Sequence, residues 1–190
     1  LLVHDGLGHI GRTPTAMIQS ARANCARRIL ATVLGVVGLA CGAADETGES
    51  AAPAPDFRLP QLDGGEVALA DWAGRPVLID FWATWCPPCV YQVPELNALY
   101  AAHREAGDVG IFGISVDDDD AIDAVRSWTE EKGVEYPILL SDDGLARAYG
   151  ALGFPTVVLI DPDGNVVWRH AGVIEHEDIE ERLEPYLRAP

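Results

Sequence analysis

The fold is decided by residues 78–89, which read LIDFWATWCPPC. The first part of this stretch belongs to a nearly continuous apolar run, 76–82, whose one polar member is Asp80. Such a run is typical of a strand that is buried on both faces of a sheet. Two cysteines separated by two prolines follow and open a helix. The stretch therefore predicts a buried strand that leads into a reactive pair of thiols.

The two cysteines, Cys86 and Cys89, are expected to differ in reactivity. Both lie at a predicted helix start, but only Cys86 falls at the positive end of the helix, which stabilises a thiolate. We therefore predict that Cys86 is a partly exposed nucleophile and that Cys89, one turn further in, is less accessible. Thiols at this spacing can reach each other, so thiol-disulfide exchange is the expected chemistry.

Two other uses of a Cys-x-x-Cys pair suit this chain less well. A zinc site needs two further nitrogen or sulfur ligands, but no cysteine follows Cys89, and His103, His170 and His176 show no ligand spacing. A purely structural disulfide would close only a short loop and would gain little from chain entropy. We expect no metal and no organic cofactor, because the Cys86–Cys89 pair is itself the redox-active group.

The remaining pattern alternates strand and helix. The predicted order is hairpin, β, α, β, α, β, α, β, β, α, which indicates an α/β sandwich with a mixed central sheet flanked by helices and an N-terminal hairpin. On the second helix, Ile122, Val125 and Trp128 are predicted to face the core. The predicted strands are 57–59, 67–69, 76–82, 109–116, 136–140, 156–160 and 166–170, and the predicted helices are 87–107, 121–132, 145–149 and 175–187.

The first 55 residues carry the pattern of an export signal followed by a tether. Residues 1–16 show no periodicity and precede Met17, so we interpret them as an upstream or non-native extension. Residues 17–41 combine arginines with an apolar run of 12 residues, which is short for a membrane span and typical of a signal peptide. Residues 42–55 are small, acidic and proline-containing, which predicts a flexible linker before a folded domain at 56–190.

The end of this signal resembles a bacterial lipobox. Residues 37–42 read VGLACG, although Gly38 stands where lipoboxes usually carry leucine. Cys41 is therefore a candidate lipidation site, and its alternative role is that of a small apolar residue at the end of the signal. We expect a periplasmic or otherwise extracytoplasmic location in the bacterial envelope, with a lipid on Cys41 as the one attachment to the membrane.

The charge of the chain excludes one large class of partner. The sequence has 13 Lys and Arg against 30 Asp and Glu, a formal net charge of −17. Such a surface repels phosphate backbones and anionic membranes, so nucleic-acid binding is not expected. The acidic run 117–120 lacks the glycine turn and distal glutamate of an EF-type calcium loop, and it predicts a solvated loop and helix cap.

Residues 78–89, together with Gly-Phe-Pro-Thr at 153–156, resemble the thioredoxin superfamily, in particular its exported TlpA/ResA-like thiol-disulfide oxidoreductases. The resemblance covers about 53–187. It implies that Pro155 is a cis-proline facing the dithiol, and that the backbone of Phe154 pairs with an extended substrate segment. The substrate-binding residues that it implies are Trp85, Pro87, Pro88, Phe154, Pro155 and Thr156.

Asp80 lies six residues before Cys86 and matches the buried acid with which thioredoxins exchange a proton with the second cysteine. TlpA/ResA-like members often carry an uncharged residue there, so at this position the chain resembles thioredoxin itself more than those members. Burial in an apolar strand should raise the pKa of Asp80 toward values useful for proton transfer. We predict that Asp80 is catalytic beside Cys86 and Cys89, with purely local hydrogen bonding as the alternative.

The resemblance implies a monomer that reduces disulfides in partner proteins. A membrane protein would supply the electrons, and the haem-binding thiols of apocytochrome c are one candidate substrate. A disulfide oxidant or isomerase is an open alternative. A peroxiredoxin-type peroxidase would carry Pro-x-x-x-Thr-x-x-Cys, but Ile79 stands at the proline position and Thr84 lies only two residues before Cys86. A redox-inert copper-binding or scaffolding module is disfavoured because Cys86 and Cys89 lack the three-residue gap of copper-delivery relatives.

Overall fold

The computed structural model describes residues 52–187, so the predictions for 1–16, for 17–41 with Cys41, and for most of the linker lie outside the described residues. No helix within 52–187 is both long and apolar enough to cross a membrane. The strands are β1 (Ala52–Pro53), β2 (Arg58–Pro60), β3 (Glu66–Ala68), β4 (Val77–Trp82), β5 (Gly110–Ser115), β6 (Ile138–Leu140), β7 (Thr156–Ile160) and β8 (Asn165–Ala171). The α-helices are α1 (Cys89–His103), α2 (Ile122–Lys132), α3 (Asp143–Ala148) and α4 (His176–Leu187).

Six of these strands form one mixed sheet in the order β1-β8-β7-β4-β5-β6. β4, β5 and β6 are parallel, and β7 runs antiparallel to both β4 and β8. The parallel neighbours are joined through α1 and α2, because a parallel pair needs a crossover connection. Every residue of β4 and β5 is buried, as expected for strands at the centre of the sheet. The predicted α/β sandwich is confirmed.

The N-terminal part of the domain contains the predicted hairpin and one strand more. β2 and β3 pair antiparallel as a separate two-stranded sheet. β1 pairs with β8 and forms one edge of the six-stranded sheet, and the hydroxyl of Tyr149 donates a hydrogen bond to the carbonyl of Pro55 at 2.5 Å. Residues 52–55, predicted as the end of the linker, therefore belong to the folded domain, because their backbone groups find partners in it.

The second helix packs on the sheet with two of the three side chains predicted for its core face. Val125 is 1% exposed, and Trp128 stacks on Trp82 of β4 with ring centroids 4.3 Å apart. Ile122 is 42% exposed and does not face the core, because it is the first residue of α2 and lies at the end of the helix. Gly133 ends α2 with a φ of +67°, as its sequence position predicts.

Gly113 of β5 allows large side chains to pack closely against the sheet. A Cβ atom at this position would lie 2.7 Å from Cδ1 of Ile138, 2.9 Å from Cε2 of Tyr136 and 3.0 Å from Nε1 of Trp82. All three side chains are buried and have little room to move. We expect Gly113→Ala to lower the free energy of unfolding by about 1–3 kcal/mol, measured by urea unfolding. Gly153→Ala, whose added Cβ would meet no atom within 4 Å, is the control, and an equal loss in both variants would contradict this account.

Candidate active site

The dithiol lies in the connection between β4 and α1. Cys86 and Cys89 form a disulfide with their Cα atoms 5.5 Å apart, and the N–H of Cys89 donates to the carbonyl of Cys86 at 3.2 Å. Helix α1 begins at Cys89, two residues later than predicted, so Cys89 is its first residue and Cys86 lies three residues before it. The unpaired N–H groups of a helix start stabilise an anion. The pair is therefore placed where a thiolate on Cys86 benefits from the helix.

The predicted partial exposure of Cys86 is wrong for the disulfide form, although Cys89 is the less exposed of the two cysteines, as predicted. Cys86 is 4% exposed and Cys89 is 2% exposed, so Cys86 is buried rather than partly exposed. The disulfide bond holds the sulfur of Cys86 against the inner cysteine, which accounts for its burial. The accessible surface belongs to the neighbours of Cys86, because Trp85 is 65% exposed and Pro87 and Pro88 are exposed as well. A partner therefore meets these three side chains first.

The loop before β7 lies against the dithiol connection. The peptide bond between Phe154 and Pro155 is cis, and the ring of Phe154 meets that of Trp85 edge-on, with centroids 5.7 Å apart. The hydroxyl of Thr156 donates to the carbonyl of Gly153 at 2.6 Å and closes the loop. Thr156 is buried, so its hydroxyl serves the loop rather than facing a substrate. The structure thus brings together Trp85, Phe154 and Pro155 of the predicted substrate-binding set.

Asp80 lies in the middle of β4 and is 2% exposed. Its Oδ1 has no hydrogen-bond partner within 52–187, and the same holds for Nε1 of Trp82, which shares its face of the strand. Burial raises the pKa of Asp80 well above its ordinary value, as predicted. The alternative of purely local hydrogen bonding finds no support at Oδ1. Asp80 is thus a buried acid whose protonated form is favoured by its surroundings.

Asp117 anchors the dithiol connection, a role that its position in the acidic run 117–120 did not indicate. Its carboxylate accepts hydrogen bonds from the N–H of Thr84 at 2.9 Å, from the hydroxyl of Thr84 at 2.6 Å and from the hydroxyl of Ser115 at 2.8 Å. Asp117 is therefore buried rather than solvated. The predicted topology could have indicated this contact: β4 and β5 are parallel, so the residues that follow the two strands meet at the same edge of the sheet.

Gln92 is a second residue whose role the apolar stripe of α1 did not show. Its side chain is fully buried, Nε2 donates to the carbonyl of Ile174 at 3.1 Å, and Oε1 accepts from the N–H of Ile174 at 2.9 Å. The two bonds join the first turn of α1 to the segment before α4. They hold the helix that begins at Cys89 against the rest of the domain.

One group of side chains within the described range could hold a metal ion. Nδ1 of His176 and carboxylate oxygens of Glu95 and Glu177 lie within 4.8 Å of one another. In the structure Glu95 accepts from the backbone N–H of His176 at 3.0 Å and lies 2.8 Å from its Nδ1. These hydrogen bonds raise the pKa of His176 and lower that of Glu95. The group fastens the start of α4 to α1, and it includes neither cysteine of the dithiol.

Comparisons with known proteins agree with this geometry. The family model described as Redoxin matches residues 49–184. The thiol-disulfide oxidoreductase ResA of Bacillus thuringiensis subsp. konkukian is 34% identical over 145 residues, 76% of this chain and 80% of that protein. ResA of Geobacillus thermodenitrificans is 37% identical over 132 residues, 69% of this chain and 74% of that protein. A solved thiol:disulfide interchange protein of the thioredoxin family from Chlorobium tepidum has a TM-score of 0.62 at 27% identity, covering 72% of this chain and 97% of that one.

Proposed function

Because this chain belongs to the Redoxin family and is a ResA-like thiol-disulfide oxidoreductase, we propose that it reduces disulfides in partner proteins outside the cytoplasm. One observation carries the proposal: the Cys86–Cys89 disulfide lies at the start of α1, beside the exposed Trp85 and the cis peptide bond between Phe154 and Pro155. The pair is itself the redox-active group, and no further cofactor takes part.

In the proposed cycle the thiolate of Cys86 attacks one sulfur of a partner disulfide. The partner's S–S bond breaks, a mixed disulfide with Cys86 forms, and the departing partner sulfur takes up a proton. Asp80, as carboxylate, accepts the proton of Cys89, and the Cys89 thiolate then attacks the sulfur of Cys86. The second partner sulfur leaves and is protonated. Two electrons pass to the partner, and the enzyme ends as the disulfide.

The loop before β7 would hold the partner during these steps. Phe154 is half-buried and precedes the cis bond, so its backbone can pair with an extended segment that carries the mixed disulfide. Trp85, Pro87 and Pro88 supply exposed apolar contact next to the two cysteines in the chain, and the ring of Trp85 meets that of Phe154. The partner would therefore contact the loop before β7 and the dithiol connection together.

The acidic surroundings of the dithiol favour a reductant over an oxidant. Strong oxidants of this fold stabilise their reduced form, whose thiolate has a low pKa. Here the carboxylate of Asp117 is bonded to Thr84, two residues before Cys86, and the exposed Asp118 and Asp119 follow Asp117 in the chain. Negative charge at these positions disfavours a thiolate and thereby favours the disulfide. This lowers the reduction potential.

The reduction potential of the purified protein tests the direction. We expect a value of about −250 mV or below, because the disulfide form is favoured over a dithiol that would carry a thiolate among carboxylates. Equilibration against dithiothreitol, followed by alkylation of free thiols and mass spectrometry, measures it. A potential above about −180 mV would identify an oxidant or isomerase instead.

The partner and the location complete the proposal. The resemblance favours the haem-binding thiols of apocytochrome c as substrate and a membrane protein with a dithiol as electron donor. The signal-like pattern at 17–41 supports export, with Cys41 as a candidate lipid anchor. Cell fractionation followed by intact-mass analysis tests the location: recovery of the protein in the cytoplasm would contradict export, and a mature chain without lipid would exclude the anchor.

A further inference from the structure

A groove of about 690 Å³ opens beside the dithiol connection. Trp85 and Phe154 line the groove. In the chain, Trp85 directly precedes Cys86, and Phe154 directly precedes Pro155. We call this cleft the acidic groove. Because Trp85, which lines the groove, directly precedes Cys86 and its ring meets that of Phe154, a polypeptide whose sulfur reaches Cys86 can continue into the groove.

The floor of the acidic groove is apolar and partly accessible. Leu59 of β2 and Leu140 of β6 are half-buried, and Ile122 at the start of α2 is 42% exposed. This arrangement explains why Ile122 is not in the core: it belongs to the surface of the groove. Such a floor accommodates the methylene chain of a lysine or arginine whose charged end reaches more polar groups.

The rim of the acidic groove is negatively charged on both sides. Asp118 and Asp119 follow β5, Asp142 and Asp143 lie at the start of α3, and all four are exposed. No lysine, arginine or histidine is among the residues that line the groove. Asp143 forms an ion pair with Arg147, whereas Asp118 and Asp119 take part in no ion pair within 52–187. Their charge is therefore available to a partner.

We propose that the acidic groove binds a cationic segment of the partner polypeptide, with lysine or arginine side chains next to the cysteine that Cys86 attacks. This inference rests on the proposed function, because it names the substrate class for the same site. The argument is charge complementarity combined with continuity between groove and disulfide. A cationic flank is attracted to Asp118 and Asp119, whereas an anionic flank is repelled, so the groove selects among partners that all carry a disulfide.

Three synthetic peptides of one sequence provide the test. Each contains one internal disulfide, and they differ only in the two residues beside the first cysteine, which are lysine, glutamine or glutamate. The full-length protein is reduced beforehand, and the rate of its oxidation by each peptide is followed by tryptophan fluorescence. We expect the lysine peptide to react about tenfold faster than the glutamate peptide at low salt, and the ratio to shrink near about 0.5 M salt.

A pair of charge-reversed variants locates the effect. Asp118→Lys/Asp119→Lys should reverse the order of the lysine and glutamate peptides. Asp163→Lys/Glu181→Lys changes the net charge equally at exposed positions outside the groove and should preserve the order. The readout is a ratio of two rates within one protein, so a partly unfolded fraction cancels from it.

Each failure has a separate meaning. If both charge-reversed variants reverse the order, the preference comes from overall charge and the groove is not the binding site. If the unmodified protein reduces all three peptides at equal rates, the groove inference is wrong and the proposed function stands. If it reduces none of them, while dithiothreitol reduces all three, both the proposed function and the inference are wrong.

Discussion

Cys89→Ser is expected to trap the partner protein on Cys86 as a stable mixed disulfide. Cys86 can still attack the partner's disulfide, but the thiol that would break the Cys86–partner bond is missing. Steady-state reduction of a protein disulfide should fall by at least about 10³-fold, because each enzyme molecule stops after one attack. Non-reducing electrophoresis would show a new species with the summed mass of both proteins. Dithiothreitol would reduce the mixed disulfide and release the two proteins.

Cys86→Ser is the matched control for this experiment. It removes the same disulfide and makes the same atomic change, so both variants lose the same stabilisation from the cross-link. We expect no trapped species, because Cys89 is the buried first residue of α1, whereas Cys86 lies in the connection before the helix between the exposed Trp85 and Pro87. Trapping by Cys86→Ser without trapping by Cys89→Ser would reverse the assigned roles of the two cysteines.

Asp80→Asn is expected to stabilise the oxidised protein by an amount that grows with pH. Burial raises the pKa of Asp80 above its ordinary value of 3.8, so the folded state holds a proton that the unfolded state has already released. Stability therefore falls as pH rises from about 4 to the pKa of the folded state. The amide of the asparagine in Asp80→Asn stays neutral, so the variant does not lose this stability as pH rises. Near neutral pH the variant should be more stable by more than about 1 kcal/mol, since a buried carboxylate without a partner is costly.

The same variant should slow release of the partner. Without a carboxylate to accept the proton of Cys89, the second exchange step should lose about 10²-fold in rate, and its pH dependence should flatten. Urea unfolding between about pH 4 and 8 and single-turnover kinetics measure the two effects. Asp163→Asn, which neutralises an exposed carboxylate, should show neither effect. If the pH–stability curves of the unmodified protein and Asp80→Asn are parallel, Asp80 does not have the raised pKa that its proposed role in proton transfer requires.

Local features of the chain were predicted well because their causes are local. The apolar run 76–82 contains β4, the turn around Gly64 connects β2 and β3 of the hairpin, and Gly133 ends α2. Each depends on a short pattern of apolar side chains or on one glycine that tolerates positive φ. The proximity of Cys86 and Cys89 likewise follows from their spacing and from the helix that starts beside them.

The wrong predictions, and the contacts that the sequence did not predict, depend on residues that are far apart in the chain. Asp117 bonds Thr84 across 33 positions and Gln92 bonds Ile174 across 82, so neither partner is visible in a local pattern. Ile122 matched a helical stripe, but the neighbours that would have buried it are absent at the end of α2.

An alternating α/β domain with a dithiol at a helix start and a buried acid in the preceding strand was predictable from the sequence. Periodicity, cysteine spacing and apolar context contain that information. Three features became evident only from the packing of distant elements: the carboxylate that anchors the dithiol connection, the burial of Cys86 in the disulfide form, and the acidic groove lined by Trp85 and Phe154. The reason is physical: hydrogen-bond partners, burial and the shape of a cleft depend on which distant elements pack together, and the parallel pairing of β4 with β5 sets that arrangement.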